Sequence, residues 1–191
     1  MNFAFLSSTP MSSVICHTNH VHLSVYLDIE TMGLNAYEQK ITCICAIVDD
    51  NAGACTHKAF FGSDERDVLR HFVKFMKEIQ HLVKEVVTWN GKSFDMPYLK
   101  MRCLKHGLII RPDETLDVKL LFPEFEIQGK WRRPSLAEAG KFLGIELEQK
   151  DRFDGKDAIT LAKLGMYKEL SGYCMNDCRL LRAIRKKAEL L

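Results

Sequence analysis

The feature that most constrains this chain is an apolar segment carrying two acids, residues 24–31, with the sequence Ser-Val-Tyr-Leu-Asp-Ile-Glu-Thr. Its apolar and β-branched front half is typical of a strand. Asp28 and Glu30 stand two positions apart, so in a strand their side chains point to the same face. Carboxylates held this close repel, and each raises the pKa of the other unless a positive charge neutralises them. The segment is either an edge strand with two acids on its outward face or a site for a divalent cation with oxygen ligands, Mg²⁺ or Mn²⁺.

The size and composition of the chain favour one globular domain. Its 191 residues, 47% of them apolar and 27% charged, are sufficient to bury a core. We expect residues 21–191 to form a single domain and residues 1–20 to be a loosely ordered tail. A net charge of +2 is too small to identify a partner by itself.

The cysteines favour a reducing, cytoplasmic compartment. The chain has seven, an odd number without metal-ligand spacing, and Cys43 and Cys45 fall in an apolar run where they pack as small hydrophobic residues. No segment is long and apolar enough to predict a membrane span. One group of metal-binding residue types occurs near the N-terminus, in the tail and just after it, namely Cys16, His17, His20 and His22. Its spacing matches no closed zinc pattern, and its role stays open.

The predicted strands indicate a mixed sheet. Strands ending near residues 31, 48 and 61 are joined by short turns, which favours an antiparallel meander. A fourth strand over 85–89 and a fifth over 115–118 alternate with helices. This order predicts an α/β domain whose central sheet is flanked by helices.

Helix-start patterns place the helices. Asp64 or Ser63 caps the first, and the second begins at Asp95, a favoured N-cap residue. Ser135 opens a capping box. The remaining helices are expected over 157–164 and over 166–190, the last interrupted at Gly172.

Two further motifs carry acids at the ends of predicted elements. The segment 88–95, Thr-Trp-Asn-Gly-Lys-Ser-Phe-Asp, runs from a strand through a loop to Asp95, and loops at strand ends are where α/β sheets bind ligands. On the last helix Tyr173 and Asp177 are four residues apart and share one face. Taken singly, Asp95 reads as a helix cap and Asp177 as a solvated acid beside a half-buried tyrosine.

Together these motifs resemble a known order. Asp-x-Glu on the first strand, Asn-x-x-x-Phe-Asp before a middle helix and Tyr-x-x-x-Asp on a late helix are similar to the DEDD (DnaQ-like) 3′–5′ exonuclease superfamily. The tyrosine places the resemblance in the branch that includes the proofreading domains of family-B DNA polymerases and stand-alone ribonuclease-H-like exonucleases. The most specific part is residues 89–99, and the resemblance spans about 23–182. It implies a ribonuclease-H-like fold, which agrees with the predicted element order.

The resemblance implies a role for each matched residue. Asp28, Glu30, Asp95 and Asp177 would be the four carboxylates that bind two divalent cations, Mg²⁺ or Mn²⁺. Tyr173 would lie beside the attacking water, and because the reference pKa of tyrosine is about 10 we expect it to orient the water rather than act as the base. The implied reaction is hydrolysis of phosphodiester bonds from the 3′ end of single-stranded nucleic acid, DNA or RNA.

The expected substrate contacts come from three segments. Thr31, Met32 and Leu34 follow the acids, and in the resembled family this segment packs against the terminal nucleotide. Asn90 and Phe94 could contact the sugar or base, although Phe94 fits a core position equally well. Lys92 is a basic residue near the motifs, and Trp131 stands in a basic patch with Lys130, Arg132 and Arg133. These residues suit phosphate contact and base stacking, with a solvated loop and helix end as the alternative.

Two other functions are compatible with the motifs. One is a nucleic-acid-binding or partner-docking module that keeps the fold without turnover, and the other is an endonuclease on the same scaffold. The intact acids favour hydrolysis over the first. Protein partners, oligomeric state, pathway and the choice between DNA and RNA do not follow from the sequence.

Overall fold

The computed structural model describes residues 21–110, 115–127, 129–145 and 155–189. The strands in these ranges are β1 (Leu23–Thr31), β2 (Ile41–Asp50), β3 (Cys55–Phe61), β4 (Val83–Thr88), β5 (Thr115–Asp117), β6 (Phe125–Ile127) and β7 (Lys130–Arg132). The helices are α1 (Glu65–Ile79), α2 (Asp95–Lys105), α3 (Leu136–Phe142), α4 (Gly155–Lys163) and α5 (Tyr167–Ala188), and a 3₁₀ turn over Val118–Leu121 follows β5. The expected tail, residues 1–20, lies outside the described residues, and so do Cys16, His17 and His20 of the cysteine–histidine group. His22 is described and is exposed just before β1.

The central sheet has five strands in the order β3-β2-β1-β4-β5. β1, β2 and β3 form the predicted antiparallel meander, whereas β4 and β5 run parallel to β1 and make the sheet mixed. The strand that carries Asp28 and Glu30 is therefore central, and the edge-strand interpretation of the two acids is wrong. A central strand can still expose polar side chains at its end, where the chain leaves the sheet.

Helices cover both faces of the sheet. Val25, Leu27 and Ile29 of β1 pack with α1 and α2 in one buried cluster. Tyr26 belongs to the opposite cluster, which includes side chains from α3, α4 and α5. Because strand side chains alternate between faces, Asp28 and Glu30 share the face of Tyr26, and α5 packs over it.

Several expectations about the helices are confirmed and others are wrong. Asp64 caps α1 by accepting from the amides of Arg66 and Asp67, and Ser135 forms the predicted capping box with Glu138. Asp95 begins α2 but is not its N-cap, since that position is Phe94. Gly172 does not interrupt α5, because it lies on an exposed face of a helix whose neighbouring turns are well packed.

The hairpin formed by β6 and β7 was not expected from the sequence. Each of its strands is three residues long, too short for an alternation pattern to stand out. Among the described helices, none combines the length and the apolar character that a membrane span requires.

Candidate active site

Asp28 and Glu30 lie near the carboxyl end of β1, opposite Cys45 and Cys43 on β2. Both acids are half-buried, so their side chains are accessible from solvent while much of their surface is covered. α5 closes the site from above, where the Sγ of Cys174 donates to the backbone carbonyl of Asp28 at 3.5 Å. The sheet and one helix together hold the acid pair in place.

The carboxylate of Asp28 lacks the hydrogen bonds that would offset the cost of its burial. Its Oδ2 is buried and has no hydrogen-bond partner among the described residues. Burial and the nearby charges of Asp177, Glu30 and Asp95 raise the pKa of Asp28 well above its usual range. A buried, uncompensated acid is costly, which makes this position a candidate for a bound cation rather than a structural ion pair.

Glu30 shares this environment. Burial, the charge of Asp177 and, more weakly, those of Cys45 and Asp95 raise its pKa to about 8. Asp177 is the strongest charged neighbour of both Glu30 and Asp28. The last helix therefore brings its acid to the pair on β1, although the two segments lie about 150 residues apart in sequence.

Asp95 is the fourth acid of the group. It is buried at the start of α2. Burial raises the pKa of Asp95 to about 7, although hydrogen bonds from the backbone amides of Asp95 and Ile29 act in the opposite direction. Its charge acts on Asp28 and on Glu30, so it faces the same place as they do. The structure thus brings together all four acids that the motifs singled out.

The loop that carries Asp95 into place has a demanding geometry. Asn90 adopts a left-handed backbone with φ 68°, a conformation that asparagine tolerates better than most residues. At Gly91 an added Cβ would lie 2.2 Å from the Oγ1 of Thr88, so no other residue fits without a shift. Amides of Ser93 and Phe94 then bond back to the carbonyl of Asn90 and close the turn.

Asp117, at the end of β5, holds this loop, and sequence reasoning missed it. Its buried carboxylate accepts from the backbone amides of Asn90 at 2.8 Å, Lys92 at 3.3 Å and Lys119 at 3.2 Å. The ammonium of Lys119 reaches the Oδ1 of Asn90 at 3.2 Å. An acid at the end of a predicted strand adjacent to the loop was the available signal.

Tyr173 lies on α5 one turn before Asp177 and directly precedes Cys174. Its ring is half-buried and packs against the apolar cluster beneath α5. The predicted pairing of a half-buried tyrosine with Asp177 on one helix face is therefore present. The next residue, Cys174, contacts the backbone of Asp28, so this turn of α5 lies over β1.

The segment that follows the acids is anchored from α2. The hydroxyl of Tyr98 donates to the carbonyl of Gly33 at 3.0 Å and to that of Gln39 at 3.1 Å. Thr31 donates to Gly33 from its own hydroxyl at 2.7 Å. Met32 packs against the apolar cluster beneath α5, whereas the side chain of Leu34 is 87% exposed and presents an apolar surface to solvent.

A buried ion pair supports the same segment from below. Arg102 contacts both oxygens of Glu65, with its Nε at 2.7 Å from Oε1. The same guanidinium donates to the carbonyl of Ala36 at 3.1 Å, and Glu65 accepts from the amide of Ile41 at 2.7 Å. The loop between β1 and β2 is thus fixed at both ends.

The remaining predicted contacts are dispersed. Lys92 is exposed in the loop before α2, and Phe94 packs half-buried against the cluster of α1 and α2, with its ring 5.3 Å from that of Tyr98. Trp131 is 73% exposed on β7. Two of the cations beside it, Arg132 and Arg133, form ion pairs with Glu138 and Glu124, so part of the predicted basic patch is neutralised.

The oxygen-rich donor set fits a hard divalent cation. Asp28, Glu30, Asp95 and Asp177 offer carboxylates only, which suits Mg²⁺ or Mn²⁺. A cation at this place would pair with the unpartnered Oδ2 of Asp28. It would also favour the ionised forms of Asp28, Glu30 and Asp95, whose pKa values are raised in its absence. The residues therefore fit the metal that the motifs imply.

The chain belongs to the RNase_H superfamily, whose family model matches residues 25–189. Its fold is the ribonuclease-H-like α/β fold with a mixed sheet, as predicted. Among curated proteins it is 27% identical over 92 residues to a DNA polymerase of Thermococcus hydrothermalis, an alignment that covers 48% of this chain and 4% of the polymerase.

A solved polymerase structure shares the fold of this chain. A family B DNA polymerase from Pyrobaculum calidifontis superposes with a TM-score of 0.67 at 20% identity, covering 87% of this chain and 24% of the polymerase. E. coli Exonuclease I in complex with an oligonucleotide gives a TM-score of 0.49 at 12% identity, covering 74% of this chain and 40% of that protein. The chain therefore corresponds to a fraction of each of these proteins.

Proposed function

We propose that this chain is a divalent-metal-dependent exonuclease of the tyrosine-bearing DEDD type, which hydrolyses single-stranded nucleic acid from its 3′ end. The observation that carries the proposal is the mutual proximity of Asp28, Glu30, Asp95 and Asp177 at one partly accessible place. Membership of the RNase_H superfamily and the fold shared with a family B DNA polymerase support it.

Asp28, Glu30, Asp95 and Asp177 would hold the cations. Asp28 stands on the central strand and is influenced by all three other acids, so it is the natural ligand to share between two ions. When bound, such a pair of ions would supply an activated water and stabilise charge on the phosphate and the leaving 3′-oxygen.

Tyr173 would position the water by a hydrogen bond from its hydroxyl. A phenol with a reference pKa of about 10 remains protonated at neutral pH and acts there as a donor, so it directs the attacking oxygen without removing its proton. Its place on α5, packed against the apolar cluster, would keep the ring in one orientation.

The 3′ end would enter between the loop after β1 and the loop before α2. Thr31, Met32 and Leu34 would line one side, with Leu34 exposed for contact with a base. Asn90, Lys92 and Phe94 would line the other, and Trp131 would offer a stacking surface to a nucleotide further along the strand.

Incubation of oligonucleotides labelled at the 5′ or the 3′ end, as DNA and as RNA, with Mn²⁺ tests this proposal. We expect mononucleotides to be released from the 3′ label and a ladder of shortening products from the 5′ label. A circular single strand should survive, because it has no end. The same panel determines the sugar preference.

Matched substitutions make the assay specific. Asp28→Asn keeps the size of the side chain and should abolish release, whereas Glu78→Gln, on an exposed face of α1, should leave it unchanged. Binding of the oligonucleotide without any release in every metal tested would instead support a module that has lost turnover. Digestion of the circle would support an endonuclease.

A further inference from the structure

Three cysteine side chains meet in the core directly behind the acid pair. Cys43 and Cys45 stand two positions apart on β2 and point to the face covered by α5, from which Cys174 approaches them. All three are fully buried, and their sulfur atoms lie within 4.8 Å of one another. We call these three residues the thiol cluster.

We propose that the thiol cluster is a binding site for one thiophilic metal ion of the Zn²⁺ class, distinct in chemistry from the carboxylate site beside it. Sulfur ligands select Zn²⁺ and related soft ions, whereas Mg²⁺ and Mn²⁺ prefer oxygen. The two neighbouring sites would therefore separate metals by type.

The spacing of the sulfur atoms matches this use. A Zn–S bond of about 2.3 Å in tetrahedral geometry places two sulfur ligands about 3.8 Å apart. The Sγ atoms of Cys43 and Cys45 are 3.8 Å apart. The third sulfur needs to move by no more than about an ångström to complete a three-sulfur face, a shift that a χ1 adjustment of Cys174 can supply.

The thiol cluster borders the acid pair through Cys174. The sulfur of Cys174 lies within 4.8 Å of carboxylate oxygens of both Asp28 and Glu30, so it borders both sites. An ion held by the three sulfur atoms can take one of these oxygens as a fourth ligand only after a side-chain shift, because among the described residues no group of atoms within 4.8 Å combines an acid with all three thiols. Binding one divalent ion releases the protons of the three thiols.

The burial of the thiol cluster determines how fast a metal ion can enter it. No sulfur of the cluster is exposed, so an ion reaches it only when α5 opens locally or before the chain has folded. We expect slow binding to the folded protein and rapid binding when the chain is refolded with the metal present.

Cadmium is the probe that tests the site without any activity assay. The full chain, folded or refolded with Cd²⁺ alone, should bind one ion and gain the ultraviolet charge-transfer absorption of a cadmium thiolate. Cys45→Ser and Cys174→Ser should each weaken this binding by at least about tenfold. Cys103→Ser, equally buried in the layer of α1 and α2, and Cys55→Ser, exposed on β3, should not.

The cadmium NMR spectrum of the unsubstituted protein decides the case even if a variant fails to fold. A chemical shift of a thiolate-rich site supports the proposal. The absence of a charge-transfer band, a shift typical of oxygen ligands, or a requirement for Cys55 or Cys103 overturns it. Because none of these readouts involves hydrolysis, a failure here is separate from a failure of the proposed nuclease function.

Discussion

The carboxylate of Asp117 accepts a hydrogen bond from the backbone amide of Asn90 at 2.8 Å and thereby links the end of β5 to the loop that leads to Asp95. Asp117 is 3% exposed, and its three bonds go to backbone groups. A buried carboxylate that satisfies several amides fixes a loop more firmly than packing alone, because breaking it leaves charged and polar groups unpaired. The position of Asp95, a proposed metal ligand, thus depends on a residue outside the motifs.

Asp117→Asn should loosen this loop. The amide nitrogen of asparagine would replace one of the two accepting oxygens and face a donor, at a cost of about 1–3 kcal/mol in the free energy of unfolding. We expect the Mn²⁺ concentration for half-maximal hydrolysis to rise several-fold, since Asp95 is no longer held. Denaturant unfolding and a metal titration of the activity measure the two effects.

Asp50→Asn is the matched control for that prediction. Asp50 also accepts two backbone amides, those of Ala52 at 2.9 Å and Ala54 at 2.7 Å, but in the turn between β2 and β3. It should lower stability without changing the metal dependence. An equal change of metal dependence in both variants would show that the effect of Asp117 is general loosening.

Substituting the acid pair should stabilise the metal-free protein. The pKa of Glu30 rises to about 8 in the folded state from about 4.5 in the unfolded chain, so its contribution to stability is complete below pH 4.5 and is lost as the pH rises toward 8. In EDTA at pH 8.5, Glu30→Gln should therefore raise the free energy of unfolding by about 2 kcal/mol.

The difference between wild type and Glu30→Gln is the informative quantity, because other groups titrate in both. The ion pair with Arg102 lowers the pKa of Glu65 despite its burial. Protonation of Glu65 at acid pH therefore lowers the free energy of unfolding of both proteins equally. The difference should grow from pH 5 to pH 9. A constant difference, or a loss of stability in the variant at pH 8.5, would contradict the assigned environment of Glu30.

Mn²⁺ should offset the loss of stability that the ionised acids cause at high pH. A cation binds the ionised acids, so it stabilises the folded state by an amount that grows with its concentration, and more at pH 8 than at pH 6 where protons compete. The melting temperature with and without Mn²⁺ measures this effect. Asp28→Asn should remove most of the gain, and a gain retained in full would place the ion elsewhere.

Tyr173→Phe should lower kcat by about 10²-fold or more while leaving Mn²⁺ affinity unchanged. The substitution removes one hydroxyl and retains the ring that packs beneath α5. Single-turnover kinetics and a metal titration separate the two quantities. Tyr167→Phe, on the first turn of the same helix, serves as the control. Wild-type kinetics in Tyr173→Phe would remove this residue from the reaction.

Trp131→Ala should raise KM for long single strands and leave kcat nearly unchanged. Stacking on one aromatic ring contributes about 1–3 kcal/mol per base, and Trp131 is exposed on the β6–β7 hairpin. Leu104→Ala, exposed on α2, controls for loss of apolar surface. Steady-state kinetics with oligonucleotides of increasing length measure the effect, and an unchanged KM at every length would refute it.

The sequence contained most of the fold because its strands and helix starts are strongly marked. The meander, the cap at Asp64 and the capping box at Ser135 follow from local patterns, and the structure has them. Local patterns failed at Gly172, where packing of the flanking turns outweighs the low helix propensity of glycine. They also failed at the short β6–β7 hairpin, whose strands carry too little periodicity.

The candidate site, like the fold, has parts that local sequence patterns predict and parts that they do not. The four acids were visible because each sits in a short motif, yet only the fold shows that Asp28 lies on a central strand and that its Oδ2 is unpartnered. Asp117 was not visible, since its function depends on a neighbouring parallel strand that local patterns do not place beside the loop. The meeting of Cys174 with Cys43 and Cys45 is long-range in the same sense.

The most direct test of the central claim is the anomalous diffraction of crystals soaked in Mn²⁺. We expect anomalous density within bonding distance of Asp28, about 2.0–2.3 Å, with carboxylate oxygens of Glu30, Asp95 and Asp177 completing the ligands directly or through water. Density at other residues, or crystals of active protein in which these four acids point into separate regions, would contradict the account.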